Sequence, residues 1–296
     1  MDNQELIKEI LERIKQNRKY RTISDEIVRK EIENYLKSHP EIDQKSKEEL
    51  KIKKSFIKKI VKEIRAKLHR LYSSYQTKGK NKSNFYLEEL KNIVNNKLIN
   101  NHQLKQLTDK LLSLTVSTKE RLNDYKFIYQ EIFKITGKPE TIIDLGCGLN
   151  PISFPYMELK KLVYYAYDID KEDIIFLNNY FKIMEAQGLN GKANILDITK
   201  INKLGQLPNS DIIFMFKLID LIDSKSKKKK KISEPLIKYL LKNKTKFIVA
   251  SFSTKTLSRK PMKLPRRRGF ELMLERNDLK FRVFSTENEV FYVVYD

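Results

Sequence analysis

The sequence predicts an all-helical N-terminal module over residues 1–114, followed by an α/β domain over residues 115–296. Before residue 115 the apolar residues recur at helical spacing and glycine is nearly absent, whereas after it short apolar runs alternate with amphipathic segments. The chain has 296 residues, which is long for one compact domain of ordinary size. We therefore expect two domains.

The longest helix predicted in the N-terminal module spans residues 46–75. Apolar residues recur every three or four positions from Ile52 to Tyr75 and form one stripe, which we expect to be buried. The lysines between them lie on the opposite face. Shorter helices are predicted at residues 3–16, 24–37 and 84–99.

The second domain is predicted to contain a parallel sheet that ends in a hairpin. Five apolar runs alternate with amphipathic segments, which is the βαβ pattern, and a short polar turn separates the last two β-rich runs. A hairpin closing a parallel sheet is the architecture of the Rossmann-like, seven-stranded methyltransferases. The predicted strands are residues 141–145, 162–167, 193–196, 211–216, 247–251, 279–285 and 289–295, with helices at 173–185 and 234–241 among them.

The net charge of +22 indicates a polyanionic partner. The excess is not confined to a tail, because 27 basic side chains face 16 acidic ones before residue 111 and 33 face 22 after it. Neutralising phosphates releases counterions, which drives much of nucleic-acid binding. Nucleic acid is thus the first partner to consider, against a lysine-rich surface that serves solubility or, less favoured, an anionic membrane surface.

Three segments concentrate the positive charge. Residues 45–82 hold 14 basic side chains against three acidic ones, and residues 251–270 hold seven basic and no acidic side chains. The third segment, Lys227 to Lys231, is equally consistent with a solvated loop. Arginine suits phosphates and base edges better than lysine does. The candidate RNA-binding residues from these segments are Lys58, Lys62, Arg65 and Arg259.

The scarcity of cysteine and histidine excludes several kinds of chemistry. A single cysteine excludes an intramolecular disulfide framework and any multi-thiolate metal site, and all three histidines precede residue 115. We therefore expect no metal and no imidazole base in the second domain. The sequence shows neither a signal peptide nor an 18-residue apolar run, so we expect a cytoplasmic protein that does not enter a membrane. We also expect a monomer.

A glycine-containing loop after the first predicted strand indicates a nucleotide-like cofactor. In Asp144-Leu-Gly-Cys-Gly148, Gly146 and Gly148 let the backbone approach a ligand at the carboxyl end of the strand. Pro151 stands where a dinucleotide fingerprint asks for a third glycine, which favours S-adenosylmethionine over NAD. Cys147 is expected to pack under the loop.

The next two strands each end at an acidic residue. Asp168 follows Gly148 by 20 residues, the separation at which a carboxylate can accept both ribose hydroxyls. Asp197 ends the third strand and is followed by Ile198, a pair suited to the edge and face of adenine. The sequence therefore predicts a cofactor site along one edge of the sheet.

The absence of two motifs reduces the number of chemical groups that could accept the methyl group. The place of the Asn/Asp-Pro-Pro-aromatic motif of amine methylation is held by residues 216–220, Phe-Lys-Leu-Ile-Asp. Base-carbon methylation commonly uses a cysteine nucleophile outside the cofactor loop, and the sequence has none there. A ring nitrogen such as guanine N7 carries no proton and needs no general base, so alignment and electrostatics suffice. A histidine-free domain is consistent with that chemistry.

Several motifs in order resemble the aminoglycoside-resistance 16S ribosomal RNA guanine-N7 methyltransferases. The resemblance covers residues 115–296 well and extends more loosely to the basic segment Lys67-Leu-His-Arg-Leu-Tyr-Ser-Ser-Tyr75. The motifs are Ser117-Thr-Lys-Glu-Arg-Leu122, Asp144-Leu-Gly-Cys-Gly-Leu-Asn-Pro151, Tyr167-Asp-Ile-Asp170, Phe216-Lys-Leu218 and Ser251-Phe-Ser-Thr-Lys-Thr-Leu257.

The resemblance implies a role for each matching residue. Arg121 would contact the cofactor carboxylate, and Lys217 and Lys255 would line the target-base side as the candidate catalytic residues. Lys67 and Arg70 would join the RNA-binding face of a helical docking module. The remaining cofactor residues would be Gly146 and Gly148 for the methionine part, Asp168 for the ribose and Asp197 for the adenine.

These observations predict an S-adenosylmethionine-dependent methyltransferase acting on 16S ribosomal RNA within the 30S subunit, at a guanine N7 of the decoding A-site. The modification would confer aminoglycoside resistance. The alternative from another class is a ribosome-binding or assembly protein that retains an inactive methyltransferase fold for docking. A protein-lysine methyltransferase is a third possibility, but it would not need a long basic helix.

Overall fold

A computed structural model describes residues 3–39, 50–69, 82–95, 101–223, 231–255, 260, 262 and 266–296. The chain divides into two compact units, and a short segment from the middle of the sequence belongs to the first. The first unit contains Met1–Gln76 and Ile169–Glu172, and the second contains Thr77–Asp168 and Asp173–Asp296.

In the described residues, eight helices precede the first strand, and the strands and the remaining helices follow. The helices are α1 (Asn3–Gln16), α2 (Arg18–Arg21), α3 (Asp25–Lys37), α4 (Leu50–Leu68), α5 (Ser83–Asn95), α6 (Asn101–Leu112), α7 (Val116–Arg121), α8 (Tyr125–Thr136), α9 (Lys171–Met184), α10 (Ile219–Asp223), α11 (Ser233–Asn243) and α12 (Arg268–Arg276). The strands are β1 (Thr141–Leu145), β2 (Leu162–Asp168), β3 (Leu189–Ile195), β4 (Ser210–Phe216), β5 (Thr245–Ser253), β6 (Lys280–Ser285) and β7 (Glu289–Tyr295).

The first unit is built from amphipathic helices around one apolar core. Ile10 and Ile14 of α1, Ile32 of α3, and Ile60 and Leu68 of α4 are fully buried there. Ile60 and Leu68 belong to the stripe that the sequence predicts to be buried. The predicted helix at residues 46–75 is observed over Leu50–Leu68, and residues 46–49 and 70–75 lie outside the described residues.

The second unit contains a seven-stranded sheet in the order β3-β2-β1-β4-β5-β7-β6. Strands β1 to β5 run parallel, and β7 pairs antiparallel with β5 and with β6. The predicted fold class of a Rossmann-like methyltransferase sheet, with a hairpin at one side and helices before the first strand, is therefore confirmed.

Both faces of this sheet are covered by helices. One apolar layer is formed with α8 and α9, and it also takes in Leu90 of α5 and Leu111 of α6. The other layer packs α10, α11 and α12 against the opposite face. Helices α5 and α6 thus belong to the second compact unit, whose boundary lies after Gln76, whereas the predicted domain boundary lies at residue 114. They lie there because their apolar faces are buried with the sheet.

One strand is longer than its sequence indicates. β3 begins at Leu189, four residues before the predicted start, and passes through Asn190, Gly191 and Lys192. These residues have low strand propensity, but β2 pairs with them in parallel register from Leu162 onward. A Cβ at Gly191 would lie 2.1 Å from the ring of Phe181, so the close approach of α9 requires glycine there.

Of the helices within these ranges, none is both long enough and apolar enough to span a membrane.

Candidate functional site

The loop after β1 adopts the conformation that its glycines permit. Gly146 and Gly148 have φ values of +68° and +48°. The backbone N–H groups of Gly146 and Cys147 both donate to the carbonyl of Tyr167, at 2.8 and 3.1 Å, which ties the loop to the end of β2. A Cβ built at Gly148 would meet no heavy atom within 4 Å. Gly148 therefore borders open space at the carboxyl edge of the sheet, which is where open α/β sheets commonly bind ligands.

Asp168 is fixed beside this loop at the end of β2. Its Oδ2 accepts a hydrogen bond of 2.8 Å from the backbone N–H of Gly148, and the side chain is half-buried. The carbonyl of Asp168 accepts a hydrogen bond of 2.9 Å from the N–H of Leu196, just beyond β3. The two strand ends that the sequence assigns to ribose and adenine therefore lie side by side.

Asp197 and Ile198 directly follow Leu196, just beyond the end of β3. The carboxylate of Asp197 accepts hydrogen bonds from the backbone N–H and the hydroxyl of Thr199, at 3.1 and 2.6 Å, which shapes the turn. Ile198 is 7% exposed and packs in the apolar layer with Leu145 and Tyr167. Ile198 thus forms part of the apolar floor beside the loop.

A buried carboxyl group lies beneath the loop. Asp144 is 1% exposed, and its Oδ2 accepts hydrogen bonds from the amide of Asn150 at 2.9 Å and the hydroxyl of Tyr164 at 2.7 Å. Burial raises the pKa of Asp144 to about 6, although the two hydrogen bonds work in the opposite direction. The Asn150 amide thereby connects the two ends of the Asp144-to-Pro151 motif.

Arg121 is buried in an ion pair that the sequence does not reveal. Its Nε lies 2.7 Å from Oε1 of Glu289, and the side chains are 4% and 0% exposed. Burial lowers the pKa of Arg121, but the Glu289 carboxylate and Tyr125 together outweigh this effect, so the pKa is raised above its ordinary value. The guanidinium also lies 4.9 Å from the centre of the Phe216 ring, at the end of β4.

Lys217 joins the same cluster from the loop after β4. Its Nζ lies 2.6 Å from Oε2 of Glu120 and 3.1 Å from Oε1 of Glu289. The backbone of Lys217 has a φ of +53°, and its N–H donates to the carbonyl and to the hydroxyl of Ser251, both at 3.0 Å. Because a positive φ is costly for a non-glycine residue, these contacts show how the lysine is held in position.

Ser251 and Asn288 complete the connections around Glu289. The hydroxyl of Ser251 donates to Oε2 of Glu289 at 2.7 Å, and the amide of Asn288 donates to the carbonyl of Glu120 at 3.0 Å. Lys255 bonds to Oδ1 of Asn288 at 2.7 Å and to the exposed Glu287 at 2.8 Å. The structure thus connects Arg121, Lys217 and Lys255 through the hairpin of β6 and β7.

Sequence analysis did not identify Glu289 or Asn150 as site residues. Glu289 appears in the sequence only as an acidic residue at the start of an apolar strand, and this position gives no sign of burial or of its partners. Asn150 lies within the loop motif itself. Within the described ranges, no group of three or more His, Cys, Asp or Glu side chains is arranged to hold a metal.

The basic residues of α4 differ in their surroundings. Lys58 and Lys62 are exposed and border a groove of about 470 Å³ that Tyr20 also lines. In contrast, Arg65 donates to the carbonyl of Ile14 at 3.4 Å. Lys67 forms an ion pair with Glu31 of α3, which is buried. Arg70 and Arg259, both predicted to bind RNA, lie outside the described residues.

The fold and the loop geometry are those of the Rossmann-like methyltransferases that use S-adenosylmethionine. The open space at Gly148 and the carboxylate of Asp168 suit that cofactor. A family described as ribosomal RNA methyltransferase (FmrO) matches residues 16–292. The chain therefore belongs to this family, and the resemblance noted from the sequence motifs is confirmed. It is an enzyme of ribosomal RNA methylation with S-adenosylmethionine as its cofactor.

Relatives of known name include two guanine-N7 methyltransferases. The 16S rRNA (guanine(1405)-N(7))-methyltransferase of Proteus mirabilis is 29% identical over 99% of this chain and 98% of its own length. The enzyme of the same name from Micromonospora echinospora is 27% identical over 62% of this chain and 64% of its own.

Solved structures share the fold over the whole chain. The 16S rRNA methyltransferase RmtF, in complex with S-adenosyl-L-homocysteine, has a TM-score of 0.71 at 20% identity and covers 100% of this chain and 99% of its own. The 16S rRNA methylase RmtB has a TM-score of 0.65 at 19% identity, with 98% of each chain covered.

Proposed function

We propose that this protein transfers a methyl group from S-adenosylmethionine to N7 of a guanine in the decoding A-site of 16S ribosomal RNA, within the assembled 30S subunit. The observation that carries the proposal is the full-length similarity to the Proteus mirabilis enzyme, whose name specifies guanine 1405 and N7. Methylation at that position is expected to confer aminoglycoside resistance.

The side chains at the sheet edge suit an acceptor that needs no deprotonation. S-adenosylmethionine supplies an activated methyl group when bound. Lys217 is ion-paired with Glu120 and Glu289, and an ammonium has no lone pair with which to accept a proton. Guanine N7 presents a free lone pair, so the protein has only to align it and stabilise the developing charge.

The site residues are proposed to divide between cofactor and target base. Arg121 would contact the cofactor carboxylate, Gly146 and Gly148 its methionine part, and Asp168 the ribose hydroxyls. Lys217 and Lys255 would line the base side, where they can reach guanine O6 or a neighbouring phosphate. The adenine would lie between the edge of Asp197 and the apolar surface of Ile198.

The helical module is proposed to dock the enzyme on the ribosomal RNA. Lys58 and Lys62 present exposed charge on α4 and are proposed to contact phosphates. The module that the sequence predicts, residues 1–114, is proposed as the functional docking unit, and Lys67, Arg70 and Arg259 are proposed as further RNA-binding residues. The enzyme is proposed to act as a cytoplasmic monomer.

The test is methyl transfer from tritiated S-adenosylmethionine to 30S subunits, 70S ribosomes and naked 16S RNA, followed by mapping of the modified nucleotide. The proposal expects stoichiometric labelling of 30S subunits and cleavage at one guanine by borohydride and aniline, since N7 methylation places a positive charge on the ring. A protein that binds 30S subunits without transferring methyl would instead be an assembly factor with a retained fold.

A further inference from the structure

The segment directly after Asp168 is held by the helical unit. Residues Ile169–Glu172 group with Met1–Gln76 in the first compact unit, although β2 ends one residue earlier in the second. Ile169 packs against the apolar core of the first unit. The peptide that follows the proposed ribose-binding carboxylate is therefore part of another compact unit.

Three hydrogen bonds within the first unit fix this segment. The hydroxyl of Thr22 donates to Oδ2 of Asp170 at 2.7 Å, and both residues are less than one-tenth exposed. The N–H of Ser24 donates to the carbonyl of Ile169 at 3.1 Å, and the N–H of Lys171 donates to the carbonyl of Thr22 at 2.9 Å. A hydrogen bond to a buried carboxylate is among the stronger interactions available to a hydroxyl.

Asp170 also connects the segment to the start of α9. Its second oxygen, Oδ1, accepts a hydrogen bond of 3.0 Å from the N–H of Glu172, as an N-cap residue does. Both oxygens of the Asp170 carboxylate are therefore used within the first unit, one by Thr22 and the other by the backbone of Glu172. Rotation of the turn that follows β2 would move Asp168, which is only two residues away.

The loop that contains Thr22 is also connected, through α1, to helix α4. Arg65 of α4 donates to the carbonyl of Arg13 at the end of α1. Lys15, two residues further on, donates to the carbonyls of Arg21 and Ile23, the first at 3.1 Å. The end of α1 is therefore bonded to Arg65 of α4 through its carbonyls, and to both sides of Thr22 through the Lys15 side chain.

We propose that Thr22 and Asp170 are positioning residues that hold Asp168 in the orientation that binds the cofactor ribose. Through them, docking of α4 on ribosomal RNA and binding of the cofactor favour each other. This inference rests on the proposed function of Asp168 and of the α4 face. Coupling of this kind is reciprocal, because each ligand must change the affinity for the other by the same factor.

The first experiment measures S-adenosylhomocysteine affinity by calorimetry. Thr22→Val and Asp170→Asn should each weaken binding by about threefold to tenfold, the effect of losing part of one charge-assisted hydrogen bond. The double variant should bind no more weakly than the single variant of lower affinity. Thr22→Ser keeps the hydroxyl group and should have wild-type affinity. Wild-type affinity in both single variants, or an additive double variant, would overturn the positioning role.

A matched control distinguishes positioning from general loosening of the helical unit. Tyr35→Phe removes the 2.9 Å hydrogen bond to Glu63 in the same unit and should leave cofactor affinity unchanged. Thermal melting of every variant reports folding independently. A Tyr35→Phe protein that lost cofactor affinity to the same extent as Thr22→Val would refute a specific role for Thr22.

The second experiment measures 30S binding with and without S-adenosylhomocysteine. The wild type should bind 30S subunits several-fold more tightly with the cofactor product present, and Thr22→Val should lose this difference. An equal response in both proteins would overturn the coupling. A wild type that binds no 30S subunits would refute the proposed function and with it the coupling, while calorimetry would still decide the positioning role.

Discussion

Oε1 of Glu289 lies 2.7 Å from Nε of Arg121, and both side chains are almost entirely buried. The same oxygen lies 3.1 Å from Nζ of Lys217, so one carboxylate faces two cations. Two candidate site residues from distant parts of the sequence are thus held by an acidic residue on the hairpin strand. A buried charge that loses its partner is strongly destabilising.

Replacing Glu289 should therefore destabilise the protein. Glu289→Gln keeps the size of the side chain but leaves Arg121 and Lys217 without their shared counter-charge, and breaking such a buried pair costs about 3–5 kcal/mol. Urea denaturation should show a fall of this order in the free energy of unfolding. The control is Glu287→Gln, which removes the exposed partner of Lys255 and should leave stability nearly unchanged. Equal stability of the two variants would contradict the prediction.

Replacing Asp168 should weaken cofactor binding. Asp168→Ala removes the acceptor proposed for two ribose hydroxyls, so affinity for S-adenosylmethionine should fall roughly tenfold or more. Asp211→Ala is a matched control, because Asp211 likewise accepts hydrogen bonds from backbone N–H groups, those of Glu140 and Thr141, but lies at the start of β4. Calorimetry should show a loss in the first variant alone. Wild-type affinity in Asp168→Ala would remove the ribose assignment.

The exposed lysines of α4 should determine the salt dependence of 30S binding. Lys58→Ala with Lys62→Ala should weaken binding and reduce the slope of log affinity against log salt by about one unit per lost phosphate contact. Lys238 and Lys242 form the control pair, since they are also exposed and four residues apart on a helix, α11. Filter binding over a salt series should separate the two pairs. Identical slopes would mean that the α4 lysines serve solubility.

Much of the fold could be predicted from the sequence because its signals are local. The glycine loop and the acidic strand ends follow from backbone geometry at a parallel sheet edge, and the apolar stripe of α4 follows from helical periodicity. Glu289 could not be predicted, because its partners Arg121 and Lys217 come from elements distant in the chain. The internal partners of Arg65 were also hidden, since a basic residue on a helix gives no sign of which carbonyl it will meet.

The stability of the protein should depend on the protonation of Asp144. Burial raises its pKa in the folded state to about 6, whereas the unfolded value lies near 3.9. Between these values Asp144 keeps a proton in the folded protein that it has lost in the unfolded chain, so the contribution of this residue to stability falls as the pH rises from about 4 to about 6, by roughly 3 kcal/mol. Asp144→Asn should lack this fall. Denaturation curves for wild type and variant that run parallel across this range would contradict the prediction.

The rate of methyl transfer should be nearly independent of pH under single-turnover conditions on saturating 30S subunits. Guanine N7 has no proton to lose, and residues 115–296 contain no histidine to titrate, so we expect a flat rate from about pH 7 to pH 9. Lys217→Ala should lower the rate at every pH with little loss of cofactor affinity, because the lysine is proposed to position the base. A rate that rises tenfold per pH unit, or a methylated RNA that resists borohydride and aniline, would indicate an acceptor that must lose a proton, such as adenine N1 or a ribose hydroxyl. Either result would contradict the assignment of guanine N7.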